Sequence, residues 1–145
     1  MKTIVTFASI IALSLALGVT AADAAGNKLK LGQFGFGNSF GSSQIGSGNA
    51  AAALQQGLFN SGTIQQKGNS NTGVLGQNGF VNTGNIAQTG QGNLGGIGQS
   101  GAFNNANLNQ HGSNNGGLIL QDGVGNGADV NQQGSGNTAV VLQSN

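Results

Sequence analysis

Polar and apolar residues alternate along this chain in a pattern that repeats every eleven residues. Gln recurs at that spacing without a miss, and each of the first ten Gln residues has Gly two positions later and Asn five positions later, giving the unit Q-x-G-x-x-N-x5. Low-complexity disordered tracts share this composition, but nothing in them maintains one phase over ten units. The glutamines are Gln33, Gln44, Gln55, Gln66, Gln77, Gln88, Gln99, Gln110, Gln121, Gln132 and Gln143.

Counted from Asn, the unit reads N-x-a-x-Φ-x-Q-x-G-x-x, and its named positions are two residues apart. On a β-strand they share one face. Position a is usually small, and Φ is aliphatic in Ile64, Leu75, Ile86, Ile97, Leu108, Ile119, Val130 and Val141. The asparagines are Asn38, Asn49, Asn60, Asn71, Asn82, Asn93, Asn104, Asn115, Asn126 and Asn137. The Gly residues begin turns, where they adopt φ values that are closed to other residues: Gly35, Gly46, Gly57, Gly68, Gly79, Gly90, Gly101, Gly112, Gly123 and Gly134.

Two units joined by a tight arc place two strands face to face, with Φ opposite Φ and each Gln opposite a small residue. We therefore predict an all-β fold: a β-solenoid of stacked strand-arc-strand rungs, with 22 residues per rung and about five rungs. Buried Gln and Asn amides need hydrogen-bond partners. Stacking supplies them, because each amide can bond to the identical residue of the next rung. The absence of Pro suits strands that donate a complete ladder.

Alternate units differ in their arcs and in their outward positions. One arc is apolar, as in Leu58-Phe59 and Phe80-Val81, whereas the other is polar, as in Asn69-Ser70. Outward residues of one sheet are also mostly apolar. Two interpretations stay open for this apolar flank. It drives lateral bundling or surface adhesion, or it only improves strand propensity.

The pattern weakens at its N-terminal end. Phe40 stands at a small position, and Ser42 and Ala53 stand at Φ positions, so we expect the first rung to be the loosest, with Phe40 filling the void. Residues 29–35 begin an eleventh half-rung. When copies with an odd number of half-rungs stack head to tail, one of the two sheets is left with a gap. We therefore expect one terminal strand, the segment of Lys28 and Lys30, to be displaced or disordered.

Residues 1–24 have the features of a secretory signal peptide. Lys2 precedes an apolar run, and Ala22-Asp23-Ala24 supplies the small residues of a cleavage site. The alternative is a membrane anchor, for which the run is short, since a spanning helix needs ~20 residues. We predict a signal peptide at 1–24, a short segment at 25–32 and the repeat array at 33–145.

The composition argues against most other chemistry. The chain has no Cys, one His and few charges, so it carries no electrostatic footprint for nucleic acid. His111 occupies an outward position without partner residues that would orient it for catalysis. We expect no enzymatic activity, no catalytic residue, no metal, no cofactor and no small-molecule substrate.

The repeat Q-x-G-x-x-N-x-A-x3-Q is that of the curlin family, and residues 44–55 and 121–132 fit it throughout. Over residues 33–143 the chain resembles bacterial curli subunits, more the major subunit than the minor one. The resemblance implies a curlin-repeat β-solenoid at 33–145 that is secreted and assembles into extracellular amyloid fibres at the bacterial cell surface, for biofilm matrix and adhesion. The implied partners are the chain itself, a nucleator subunit and an outer-membrane secretion channel.

Two alternatives remain. The first is the minor nucleating subunit of the same fibre. The second is a monomeric secreted β-solenoid that binds ice or carbohydrate, which requires an outward ladder of one residue type and capped ends. Thr72 and Thr138 share an outward column, but Ala50, Leu94 and Gly116 interrupt it.

Overall fold

The computed structural model describes residues 26–145, and the predicted signal peptide lies outside the described residues. Within this range every regular element is a β-strand, and no helix has the length and apolar character of a membrane span. The strands are β1 (Lys28–Phe36), β2 (Ser39–Ser47), β3 (Ala50–Leu58), β4 (Ser61–Asn69), β5 (Thr72–Phe80), β6 (Thr83–Gln91), β7 (Leu94–Ala102), β8 (Asn105–Ser113), β9 (Gly116–Val124), β10 (Gly127–Ser135) and β11 (Thr138–Ser144).

The strands form two parallel sheets that face each other. The odd-numbered strands make a six-stranded sheet and the even-numbered strands a five-stranded sheet, each in order along the chain. Every pair is in register at 22 residues, as in Gln33 beside Gln55 and Gln44 beside Gln66. The predicted β-solenoid with a 22-residue rung and about five rungs is therefore confirmed.

Each arc is defined by two residues with positive φ. The turn Gly has φ between 105° and 126°, and the residue two places after it has φ between 54° and 71°. The second position is Gly in five arcs, but it is Phe59, Ser70, Val81, Phe103 or Asn114 in the others. The left-handed region is unfavourable for residues with a side chain, so five arcs are held in this shape by the bonds around them.

Four phenylalanines pack along the edge where odd strands turn into even ones. Phe36, Phe59, Phe80 and Phe103 make successive edge-to-face contacts with ring centroids 5.5–6.0 Å apart. Edge-to-face pairs contribute beyond their buried area. This column is the apolar arc that the sequence pattern predicts.

The interior is a single column of aliphatic side chains between the sheets. The Φ residues Ile64, Leu75, Ile86, Ile97, Leu108 and Ile119 are buried. The sheets are staggered by half a rung. A Cβ built on Gly73 of β5 would lie 2.9 Å from Cγ2 of Ile64 on β4 and 3.5 Å from Oε1 of Gln88 on β6. The small position thus makes room for an aliphatic side chain as well as for the predicted Gln.

The expectation of a displaced N-terminal strand is wrong. β1 pairs with β3 over its whole length, from Lys28 beside Ala50 to Phe36 beside Leu58. Lys28 and Lys30 point outward into solvent, whereas Leu29 packs against the core. The six-stranded sheet has one strand more than the five-stranded sheet. Because the two sheets are staggered by half a rung, this additional strand fits without a gap. The described array accordingly begins at Lys28, inside the segment predicted to precede it.

The irregular first rung has a filled interior. Phe40 is buried and belongs to the same hydrophobic cluster as Ala51 and Ala53. Its Cδ2 would lie 3.2 Å from a Cβ built on Gly62. Phe40 thus occupies the space above the small side chains, and the lower stability of this rung stays a prediction.

We predict that Gly79→Ala lowers the free energy of unfolding by about 2 kcal/mol or more. Gly79 has a φ of 122°, and an added Cβ would overlap the carbonyl oxygen of Gly101. Gly76→Ala on the same strand is the control, because the nearest atom to its Cβ is 4.0 Å away. We expect it to change stability by less than about 1 kcal/mol. Urea unfolding followed by circular dichroism measures both, and equal stabilities would contradict this description of the arc.

Candidate functional site: the amide ladders

The glutamines form two continuous hydrogen-bonded ladders, one in each sheet. Nε2 of each Gln donates to Oε1 of the Gln one rung further along the chain, at 2.6–3.0 Å, from Gln33 to Gln143 in the odd sheet and from Gln44 to Gln132 in the even sheet. Every bond points from the N-terminal towards the C-terminal end. An amide suits such a row because each copy is both a donor and an acceptor.

The same amides also tie the two sheets together. The second hydrogen on Nε2 of Gln66 is donated to the carbonyl oxygen of Ala50 in the opposite sheet at 2.9 Å, and Gln77 donates in the same way to Ser61. The equivalent bond recurs for each Gln from Gln44 to Gln143, at 2.8–3.1 Å. Both amide hydrogens are therefore used, which removes the penalty of burying them.

The asparagines form a second pair of ladders at the entry to each strand. Both the backbone N and Nδ2 of Asn82 donate to Oδ1 of Asn60, each at 3.1 Å, and Nδ2 also donates to the carbonyl oxygen of Gly101. The Asn side chain therefore binds the turn Gly of the next rung and the Asn of the preceding rung. These Asn bonds hold the arc in its strained shape, which explains why Gly and Asn recur together.

The Asn bonds run opposite to the Gln bonds. Asn104 donates back to Asn82, whereas Gln77 donates forward to Gln99. Aligned amide dipoles in one row add up along the solenoid. The two opposed rows therefore offset each other, so that the stack can lengthen without accumulating a large dipole from its side chains.

The interior members of both ladders are buried. Gln55, Asn49, Asn60, Asn71 and Asn82 have no exposed surface. The terminal members Gln33, Gln143 and Asn137 are exposed or half-buried. All the predicted Gln, Asn, turn Gly and aliphatic residues lie at equivalent places in the rung. Val130 is buried, whereas Val141 is only partly buried because it lies on the last described strand.

Sequence reasoning missed one member of the Asn ladder. Oδ1 of Asn27 accepts the backbone N–H of Asn49 at 2.9 Å, and Nδ2 of Asn27 donates to the carbonyl oxygen of Gly46. Asn27 lies eleven residues before Asn38, and Leu29 and Leu31 follow it at positions a and Φ. The phase of the repeat is the signal that finds Asn27, which lies before Gln33, the first Gln of the array.

Among the described residues, each Gln ladder ends in amide groups that have no further Gln to bond to. Gln132 and Gln143 donate to the carbonyl oxygens of Gly116 and Gly127, but no further Gln accepts from them. At the other end, Oε1 of Gln33 and Gln44 has no ladder donor. The C-terminal face thus presents amide donors from Gln, and the N-terminal face presents amide acceptors in the same geometry.

Other chemistry has little support in the described residues. His111 is exposed on the outer face of β8. Among residues 26–145 no group of three or more His, Cys, Asp or Glu side chains is placed to hold a metal ion. A shallow groove of about 670 Å³ runs along the outside of the six-stranded sheet, lined by Leu54, Gly76, Gly98, Leu120 and Leu142 among others.

Comparison with protein-family models and with curated proteins finds no match to this chain. A β-solenoid fold does not by itself identify the curlin family, because one fold serves several functions. The resemblance to curli subunits therefore depends on the repeat residues themselves.

We predict that Gln66→Leu lowers the free energy of unfolding by about 2–4 kcal/mol. The change leaves Nε2 of Gln44 without its acceptor, and it removes the amide hydrogens that Gln66 donates to Oε1 of Gln88 and to the carbonyl of Ala50. The control is Gln65→Leu at the adjacent exposed position, which we expect to change stability by less than about 0.5 kcal/mol. Denaturant midpoints compare the two variants, and similar midpoints would show that the ladder contributes little.

Proposed function

We propose that this chain is the structural subunit of an extracellular, curli-like amyloid fibre, in which copies stack end to end. The observation that carries the proposal is the matched pair of ladder ends. Donors of Gln132 and Gln143 lie at one face and acceptors of Gln33 and Gln44 at the other, with the spacing that joins rungs inside one molecule.

Stacking gives the ladder groups of the outermost described rungs the same protein partners that interior rungs have. Each hydrogen bond contributes only ~1 kcal/mol net, but one junction forms several of them together. The outermost strands β1, β2, β10 and β11 also have one unpaired edge each among the described residues. These edges carry no Pro, and unpaired edges of this kind pair readily with another chain.

For a subunit made of the eleven described strands, a half turn about the fibre axis makes the stack continuous. Direct translation places β1 on β11 and leaves the five-stranded sheet one strand short. After a half turn, β1 continues from β10 and β2 from β11, because the sheets are staggered by half a rung. The register then places Gln33 over Gln132 and Gln44 over Gln143, and both ladders continue.

The repeat residues connect this assembly to the curli system. Residues 44–55 and 121–132 carry the complete curlin pattern. On this basis the proposed fibre forms at the bacterial cell surface as biofilm matrix and adhesive, after secretion through an outer-membrane channel and with a nucleator subunit. Within this proposal the chain is the major subunit rather than the nucleator.

The proposal predicts that purified residues 25–145 assemble into fibres that bind thioflavin T and seed fresh monomer. Fibre diffraction should show a meridional reflection near ~4.8 Å, the spacing of strands within a sheet. A chain that stays monomeric and β-rich at high concentration would refute the proposal and favour the monomeric binding module.

A matched pair of double variants tests the ladder ends themselves. Gln132→Lys with Gln143→Lys places two charges at the donor face, whereas Gln133→Lys with Ser144→Lys adds the same charge at exposed positions on the same strands. We expect the first pair to slow elongation from seeds by at least about tenfold, since burying an unpaired amine at the junction costs more than 1.4 kcal/mol. The second pair should slow it far less, and equal slowing would contradict stacking through the ladders.

A further inference from the structure

Four strands of the six-stranded sheet present an outer surface of leucines and glycines, which we call the apolar face. It consists of the outward residues of β5, β7, β9 and β11. Its large side chains are exposed, from Leu118 at 37% to Leu142 at 70%. Asp122 is the one charged residue among these outward positions. Such an exposed apolar surface indicates an interaction site.

The apolar face has a relief that follows the strand order. On β5 and β7 the central outward positions include Gly76, Gly96 and Gly98, whereas on β9 and β11 they are leucine or valine, among them Leu118, Leu120, Val140 and Leu142. Two strands thus form a hollow and the next two form a ridge. The hollow over Gly76 is open, because the nearest atom to an added Cβ is a backbone oxygen 4.0 Å away.

Glycines of this sheet are already used as seats for leucine within one molecule. Leu118 leans over Gly96, with Cδ1 3.0 Å from an added Cβ, and Leu120 leans over Gly98 at 2.8 Å. Gly76 has no such cover, because the residue one rung after it is Gly98. The backbone at Gly76 is therefore accessible to a branched side chain from outside, whereas Gly96 and Gly98 are already covered.

We propose that the apolar face docks against the same face of a second copy running antiparallel, with a two-fold axis lying along the strand direction between β7 and β9. This axis brings β7 opposite β9 and β5 opposite β11. A two-fold interface uses the same patch on both partners, so each contact occurs twice. Leucines of one copy then lie opposite glycines of the other.

Eight pairs of outward positions lie opposite each other along the four strands. Four leucines face four glycines, and two of these glycines, Gly76 and Gly116, have no leucine of their own copy over them. The remaining positions pair Val with Val, Thr with Thr and polar with polar. The opposed pairs are Leu94 with Gly116, Leu118 with Gly96, Leu120 with Gly98, Leu142 with Gly76, Val74 with Val140, Thr72 with Thr138, Ser100 with Asp122 and Asn78 with Ser144. Leu142, the most exposed large apolar residue, thus covers the open hollow of Gly76.

The parallel arrangement is far less complementary. A two-fold axis along the solenoid keeps each strand opposite its own copy and reverses the positions along it. Leu118 then opposes Leu120, and Gly96 opposes Gly98, so ridge meets ridge and hollow meets hollow. Packed surfaces tolerate neither overlap nor voids, and the antiparallel arrangement is therefore favoured.

The area of the apolar face determines how strongly single copies and fibres associate through it. Four strands at ~4.8 Å spacing and seven residues at ~3.3 Å give about 19 Å by 23 Å, which is about half of the ~800 Å² per partner of a stable interface. Two single copies therefore associate weakly. Fibres repeat the patch and gain avidity, so the strong form of this inference depends on the proposed fibre.

A residue exchange across the interface tests the pairing. Gly76→Leu adds apolar surface but places a leucine opposite Leu142 of the other copy. Leu142→Gly places a glycine opposite Gly76 of the other copy and leaves a void between them. We expect each to reduce lateral association of fibres by about tenfold, and the double variant, which restores one Leu opposite one Gly, to recover most of it. Light scattering and bundle widths in electron micrographs measure association. Non-specific apolar adhesion predicts instead that Gly76→Leu strengthens bundling, and that result would overturn the pairing.

Two controls separate this inference from the proposed function. Elongation from seeds reports on end-to-end stacking, so normal elongation without rescue of bundling refutes the pairing alone. Ala87→Leu on the five-stranded sheet adds an equal apolar side chain outside the apolar face and should leave bundling unchanged. If no fibres form, the proposed function is refuted. The same variants are then compared as concentrated soluble chains, whose association is measured by sedimentation.

A cross-linking experiment covers the case in which Leu142→Gly loosens β11. Preformed fibres of Asn78→Cys and of Ser144→Cys are mixed and treated with a short bifunctional maleimide. The antiparallel pairing predicts 78–144 cross-links in the mixture and none in either fibre alone. Cross-links in the single preparations, or none in the mixture, would overturn it.

Discussion

The hydrogen bond between identical side-chain amides one rung apart is the interaction on which the rest of this structure depends. An amide carries its donor and its acceptor in one group, so a row of identical residues satisfies itself. Equal charges at the same spacing would repel, and apolar residues would leave the arc carbonyls without donors. The interior therefore combines a narrow aliphatic column with Gln and Asn rows that would be unfavourable in an ordinary protein core.

The other regularities follow from this row. The small position of each unit leaves room for the Gln amide and the aliphatic side chain of the opposite sheet, as seen at Gly73 between β4 and β6. The turn Gly permits the arc, and its carbonyl oxygen receives the Asn amide of the preceding rung. Every rung makes the same bonds, so nothing in the bonding of an interior rung stops the row of amides from continuing. Growth by addition of identical copies uses the same contacts that stabilise one copy.

Much of this could be predicted from the sequence because the phase of Gln, Gly and Asn encodes the strand, the arc and the 22-residue rung together. The path of β1 could not, since the odd number of half-rungs predicted a displaced terminal strand, whereas the structure pairs β1 with β3 over its whole length. The half-rung stagger also required coordinates, because it follows from how side chains of β4 and β6 enclose β5. Residues such as Val81 in the left-handed region could not be anticipated, since local preference opposes that conformation.

Hydrogen exchange of the ladder amides tests most directly whether these bonds hold the rungs together. In assembled material, NMR-detected deuterium exchange should find the side-chain amides of Gln55, Gln77 and Gln99 protected by orders of magnitude relative to the outward Gln56, Gln65 and Gln133. Protection arises because the ladder hydrogens are buried and bonded, and exchange requires a rung to open. Exchange of the ladder amides as fast as that of the outward ones would contradict the account.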